Sequence, residues 1–226
     1  MALSDRPSSE RPREKLLDRG PEILTDAELV AILLRTGLPG QDAIALAHSL
    51  IQAFGGLYGL LSAPSSALKE KLGLGPAKTA QLIAVLELAR RTLREEMAQG
   101  VSLDSVDNVR RYLKLSLAHR EFEVFHALWL DARNRLIASE ELFRGTLTQT
   151  SVYPREVVRR ALHHNAAAVI FAHNHPSGIA DPSGADEHLT RQLQDALGLV
   201  DVRLLDHFIV AGFSEPYSFS ERGKLA

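Results

Sequence analysis

The 226-residue chain has no cysteine, one tryptophan and two methionines, and only 6% of its residues are aromatic. The absence of cysteine excludes disulfides, thiolate metal sites and cysteine nucleophiles, and it suits a reducing compartment. An excess of one charge is also lacking: 26 basic residues face 28 acidic ones, a formal net charge of −2. No global positive field therefore draws the protein onto nucleic acid or anionic membrane, and any such contact would have to be local. No apolar run approaches the roughly 18 residues that a membrane helix requires. The opening MALSDRPSSERPREK is charged and has no apolar centre, unlike a secretory leader. A soluble, cytoplasmic protein is the expectation. With 45% hydrophobic residues there is enough apolar side chain for one large core or two modest ones.

Residues 1–20 are rich in Arg, Glu, Ser and Pro and read as a mobile arm. Residues 21–98 carry helical patterns. Thr25 and Glu28 have capping-box spacing before the apolar run 29–34, and Gly37, Pro39 and Gly40 end it. Further helices are expected over 44–54, 65–71 and 76–95. A polar stretch around 94–102 reads as a linker. Beyond it, within 102–226, the segments 122–130, 135–143, 167–172 and 202–211 are short, apolar and strand-like. Helical patterns opening at Pro154 and near Ser183 lie between them. The expectation is an all-α domain followed by an α/β domain with a mixed central sheet.

The chemistry concentrates in Ala172-His173-Asn174-His175-Pro176-Ser177-Gly178, followed by Pro182-Ser183-Gly184-Ala185-Asp186. Where an extended strand ends, residues i and i+2 project to the same side, so His173 and His175 can share a metal. A helix starting near Ser183 brings Asp186 back toward that strand end. Two imidazoles and a carboxylate fill three zinc positions and leave the fourth for water, the arrangement of catalytic rather than structural zinc. A His-x-His pair alone is weak, but Ser and Asp at two further fixed offsets lower the chance expectation to about 0.001–0.002. Ser183 and Asp186 are also spaced as a helix capping box, and the two roles are compatible.

The string from His173 to Asp186 resembles the JAMM motif of MPN-domain metalloproteases, and HNHPSG followed by PSxxD resembles the RadC family of bacterial proteins. The resemblance extends through ELFRGT (141–146), YPREVV (153–158) and LLDHFIV (204–210), and it covers nearly the whole chain. It implies an MPN fold, one zinc ion held by His173, His175 and Asp186, and Ser183 as oxyanion donor. It also implies a glutamate that moves the proton of the metal water. Glu140 is the expected base, three residues before the Phe of the FxG turn. Glu141, on the opposite face of the same strand, is its alternative. The implied activity is hydrolysis of a peptide or isopeptide bond in a protein or peptide substrate. Deaminases related in fold use cysteine ligands, which this chain lacks.

Other signals are less specific. His163 and His164 fall at a helix C-terminus, where imidazolium suits the dipole. Asp206 and His207 lie in a strand, either as support for the metal site or as a structural pair. Gly73, Gly75 and Lys78, between two helices, resemble a helix-hairpin-helix that offers backbone N–H groups and a charge to a DNA phosphate. An equally simple reading is a tight α-hairpin that binds nothing. The rival function is therefore a DNA-binding accessory protein of repair or recombination with a structural or vestigial metal site. Arg90, Arg91 and Arg94 read as a solvated helix face.

Overall fold

The computed structural model describes residues 7–99, 106–145, 152–212 and 214–225. The chain divides into two compact units, residues 1–89 and 90–226, so the boundary falls inside a long helix and not at the expected linker. Residues 100–105, which take in the end of that linker, lie outside the described residues.

The first unit is helical: α1 (Pro12–Arg19), α2 (Asp26–Leu34), α3 (Ala43–Ala53), α4 (Leu57–Ser62), α5 (Ser65–Lys69) and the start of α6 (Pro76–Gln99). The Thr25–Glu28 capping box forms as the spacing predicts, and Asp42 caps α3 through the N–H of Ala45. Val30, Leu34, Leu46, Leu50, Leu60 and Leu82 converge in one core. The expected arm is in part a helix: Pro12 supplies a preset first position for α1, and Lys15 donates to Glu28 of α2 at 2.6 Å.

The second unit is built on a five-stranded mixed sheet of order β2-β1-β3-β4-β5. Its strands are β1 (Val124–Leu130), β2 (Leu136–Arg144), β3 (Ala168–Asn174), β4 (Arg203–Val210) and β5 (Tyr217–Ser218). β1 runs antiparallel to both β2 and β3, while β3 and β4 are parallel. Every residue of β1 and β3 is buried, as strands covered on both faces require. On one face Val124, Leu128, Ile170 and Phe208 pack on Met97 of α6 and on Tyr112 and Leu113 of α7 (Val106–Leu117). On the other, Phe125, Ala127, Trp129, Val169 and Phe171 pack on α8 (Pro154–His163) and α9 (Gly184–Gly198) through Val157, Ala161, Leu193 and Leu197. The mixed sheet and the four apolar segments agree with the sequence expectation. α7, with buried residues at 109, 112, 113, 116 and 117, is a helical stripe beyond it. Among the described residues no helix is long and apolar enough to cross a membrane.

Candidate metal centre

His173 is the next-to-last residue of β3, and its side chain falls on the α8/α9 face with Val169 and Phe171. It is 1% exposed, and its ring stacks at 14° on Phe125, its antiparallel partner on β1. His175 lies one step beyond the strand, yet its N–H still donates to the Val210 carbonyl (2.9 Å), so the extended geometry carries both histidines to one side. A turn then reverses the chain: Gly178 donates its N–H to the His175 carbonyl at φ +83°, a conformation open to glycine at little cost. The reversal puts the Ile179 carbonyl 2.8 Å from His175 Nδ1.

Asp186 arrives from the first turn of α9. Ser183 caps that helix, accepting from the N–H of Asp186 at 3.2 Å, while Ser183 N–H and Oγ donate to Asp186 Oδ2 at 2.7 and 2.6 Å. The capping box thus aims the carboxylate. Asp186 Oδ1 lies 3.2 Å from His173 Nε2 and Oδ2 lies 3.6 Å from His175 Nε2. One ligand atom from each of the three residues falls within 4.8 Å of the others.

The hydrogen bonds fix the tautomers. Thr190 Oγ1 spends its single proton on the Asp186 carbonyl (2.6 Å), so it accepts from His207 Nδ1 at 2.7 Å. His207 Nε2 is then bare and accepts from His173 Nδ1 at 2.9 Å. His175 Nδ1 donates to the Ile179 carbonyl. Both Nδ1 protons are therefore committed, and two Nε2 lone pairs face each other 3.0 Å apart beside a carboxylate. That contact is repulsive unless a cation lies between them. Two nitrogens bound to one tetrahedral zinc stand about 3.3 Å apart, so the donor set fits that ion closely.

A proton on Nε2 can take the cation's place between these groups. Burial opposes ionisation of Asp186, but hydrogen bonds from the protonated rings of His173 and His175 hold its pKa well below the carboxylate range. The same bond to Asp186 raises His175, whereas complete burial and then the neighbouring His173 charge push His207 far down. His207 is thus neutral and orients the His173 ring through their hydrogen bond. Asp206 faces elsewhere, accepting from Ser218 Oγ (2.6 Å) and from the N–H groups of His207 and Ser220, and it ties the chain after β5 to the sheet.

Glu140 and Glu141 do lie on opposite faces of β2, opposite Ala127 and His126. Glu140 shares the face of His173, but its carboxylate is not part of the cluster. It accepts from Trp129 Nε1 (2.6 Å), from Arg160 through two nitrogens, and meets His164 Nε2 at 3.1 Å. Burial would raise its pKa, but the bonds from Arg160, Trp129 and His164 bring it down to about 2. A carboxylate so engaged is a poor proton acceptor at neutral pH. The structure thus departs from the expected base because an arginine one helix away claims it. His164, expected as a simple cap, belongs to this network. Glu141 pairs with Arg144 (3.0 Å) and Arg120 (3.7 Å).

A different carboxylate reaches the centre. Phe125 lies opposite His173, so antiparallel register puts Glu123 opposite His175. Asn174 braces that approach: its Oδ1 accepts from Val124 N–H (2.8 Å), and its amide donates to the carbonyls of Phe122 and Arg120. Glu123 is half-buried, and its charge helps raise the pKa of His175. The pairing of two strands about 50 residues apart is the signal, and nothing local in the sequence carries it.

In the first unit, Gly73 adopts φ +90°, and a Cβ there would press within 3.0–3.1 Å of Leu46. Packing on α3 therefore requires this glycine. A Cβ on Gly75 would meet nothing within 4 Å, and Lys78 Nζ donates to the Thr36 carbonyl at 2.6 Å. Arg90 donates to the Tyr112 hydroxyl at 3.3 Å.

A family model described as RadC-like JAB domain matches residues 103–224, and one described as UPF0758 N-terminal matches residues 3–80. A UPF0758 protein of Nitrosospira multiformis is 62% identical over 223 residues, covering 99% of each chain. One of Dechloromonas aromatica is 60% identical over 226 residues, covering 100% of each chain.

Proposed function

The chain belongs to the family of RadC-like JAB-domain proteins, and on that premise we propose that it is a zinc-dependent hydrolase of an amide bond, in a peptide or an isopeptide. The observation that carries the reading is the pair of bare Nε2 atoms, His173 and His175, 3.0 Å apart beside Asp186. A zinc ion held by these three residues supplies a Lewis acid for the substrate carbonyl and lowers the pKa of water to about 7.

The chain's own residues do the rest. Glu123, rather than Glu140, takes the proton of the attacking water and returns it to the leaving nitrogen. Ser183 is the oxyanion donor at the N-terminus of α9, where the helix dipole also favours negative charge; its hydroxyl proton, given to Asp186 Oδ2 in the free protein, turns to the substrate oxygen. His207 and Thr190 keep the His173 ring in one orientation, so nothing there has to reorganise as charge develops. In the rival DNA-binding reading Lys78 would offer its charge to a phosphate while one of its three ammonium protons is given to the Thr36 carbonyl.

The test compares zinc-loaded full-length protein with Glu123→Gln against a complex peptide mixture, reading new peptide termini by mass spectrometry. The reading predicts cleavage by the wild type and a loss of about 10²–10⁴-fold in the variant at equal zinc content. Equal cleavage by both, or none by the loaded wild type, would sink it.

A further inference from the structure

Thr190 Oγ1, His207 and His173 form a relay whose middle ring is fully buried. The hydrogen bonds at His207 Nδ1 and Nε2 lie in the plane of the imidazole. They fix where its edges point but leave its two faces to be held by packing. The rings of Phe125 and Phe171 stand steeply to it, at 69° and 81° with centroids 5.5 and 6.2 Å away. Phe219 lies flat against it, at 18° and 5.0 Å. Phe219 is itself fully buried, yet it belongs to neither of the apolar clusters that cover the sheet. The rings it meets are those of His207 and Tyr217. Its packing is therefore directed at the relay.

Several bonds hold that ring in place. β5 pairs Tyr217 and Ser218 with Ile209 and Phe208. The N–H of Phe219 donates to the His207 carbonyl (3.0 Å), and the N–H of Lys224 donates to the Phe219 carbonyl (2.9 Å). On either side of Phe219, Ser218 Oγ and Ser220 N–H donate to Asp206 at 2.6 and 3.0 Å. Asp206 immediately precedes His207, so residues 217–224 are tied to the stretch of β4 that carries the relay. The Lys224 ammonium also pairs with Glu187, the residue after Asp186 on α9. One short segment thus braces both the His207 ring and the helical turn that carries the third ligand.

From this packing we infer that Phe219 is a positioning residue of the metal centre, acting through His207 on the His173 ring. The inference rests on His173, His175 and Asp186 being the ligands. With the flat ring gone, His207 can tilt about its Cβ–Cγ bond, and its Nε2 lone pair leaves the direction of the His173 Nδ1–H. His173 then loses the partner that keeps its proton on Nδ1 and its Nε2 turned toward Asp186 and His175. Partners that orient a ligand imidazole in this way contribute about 10–100-fold to metal affinity.

The experiment measures zinc affinity by competition with a chromophoric chelator, on full-length wild type, Phe219→Leu and Phe219→Met, and follows melting of the metal-free forms. Leucine and methionine keep the position apolar and largely filled but offer no flat ring. Leu113→Ala, in the core on the α7 face, is a control that lowers stability away from the centre. The inference predicts zinc binding weakened about 10–100-fold in both Phe219 variants and within about twofold of wild type in the control. It also predicts that most of the loss disappears when Phe219→Leu is made in a His207→Gln background, where the residue has nothing left to act through. Wild-type affinity in both Phe219 variants, or the full loss retained beside His207→Gln, overturns the inference and leaves the ligand assignment standing. A wild type that takes no zinc overturns both.

Discussion

Trp129, Arg160 and His164 surround the carboxylate of Glu140, and their hydrogen bonds hold it ionised and away from the histidine cluster. Glu123, one residue before β1, has none of these partners and falls opposite His175 in the continued register. Glu140→Gln keeps the side-chain shape but leaves Arg160 without its counter-charge. We expect it to lose about 1–3 kcal/mol of stability in urea titrations while retaining metal, whereas a metal-site residue would show the reverse. At this scale the sequence was readable where chemistry is local. His173, His175, Ser183 and Asp186 occupy fixed offsets along one strand–turn–helix. Glu123 was not, because a base approaching from another strand is specified by pairing register, and a glutamate near a strand end has no local mark.

The strand–turn–helix from Ala168 to Gly198 is the element that makes the centre, and its parts are braced from both sides. Asn174 points away from the metal and stitches the end of β3 to the segment entering β1 with three hydrogen bonds. Asn174→Ala should therefore cost about 1–3 kcal/mol and loosen Glu123, leaving three ligands in place. Hydrogen exchange at Phe122–Phe125 would rise in that variant; unchanged exchange there would show that the brace is dispensable. Most elements were legible from periodicity and punctuation: buried runs for β1 and β3, Pro154 opening α8, Ser183 capping α9. α1 was read as part of an arm because its charges outweigh its apolar residues. Its helix rests instead on Pro12 at the first position and on the Lys15–Glu28 contact.

Over the whole molecule, several groups make acid unfavourable: Asp186 and His207 at the centre, and away from it His126 and Glu140 in successive ranges. Burial pushes His126 down to about 4, and its ring is 2.8 Å from Ser139 Oγ on the α7 face of the sheet. Its folded pKa lies below the ordinary 6.5, so the unfolded chain binds the proton more readily. The stability is full above pH 6.5 and is lost as pH falls toward 4, by about 3 kcal/mol. Glu140, held at about 2, adds a second loss as pH falls below 4.5. Thermal melting from pH 8 to 3 should show both contributions, and His126→Gln should lessen the loss between pH 6.5 and 4 while leaving the one below it unchanged. The contact boundary within α6 carries no mark in the sequence, since a continuous helical pattern gives no break to read.

The central claim is that His173, His175 and Asp186 hold a divalent metal. Zinc content after mild dialysis, measured by elemental analysis on wild type and on Asp186→Asn, tests it most directly. Asparagine keeps an acceptor for the Ser183 cap and removes only the charge, so the fold should survive. The account predicts near-stoichiometric zinc in the wild type and a sharp loss in the variant. A wild type that stays empty after reconstitution, or a variant that retains the ion fully, would contradict it.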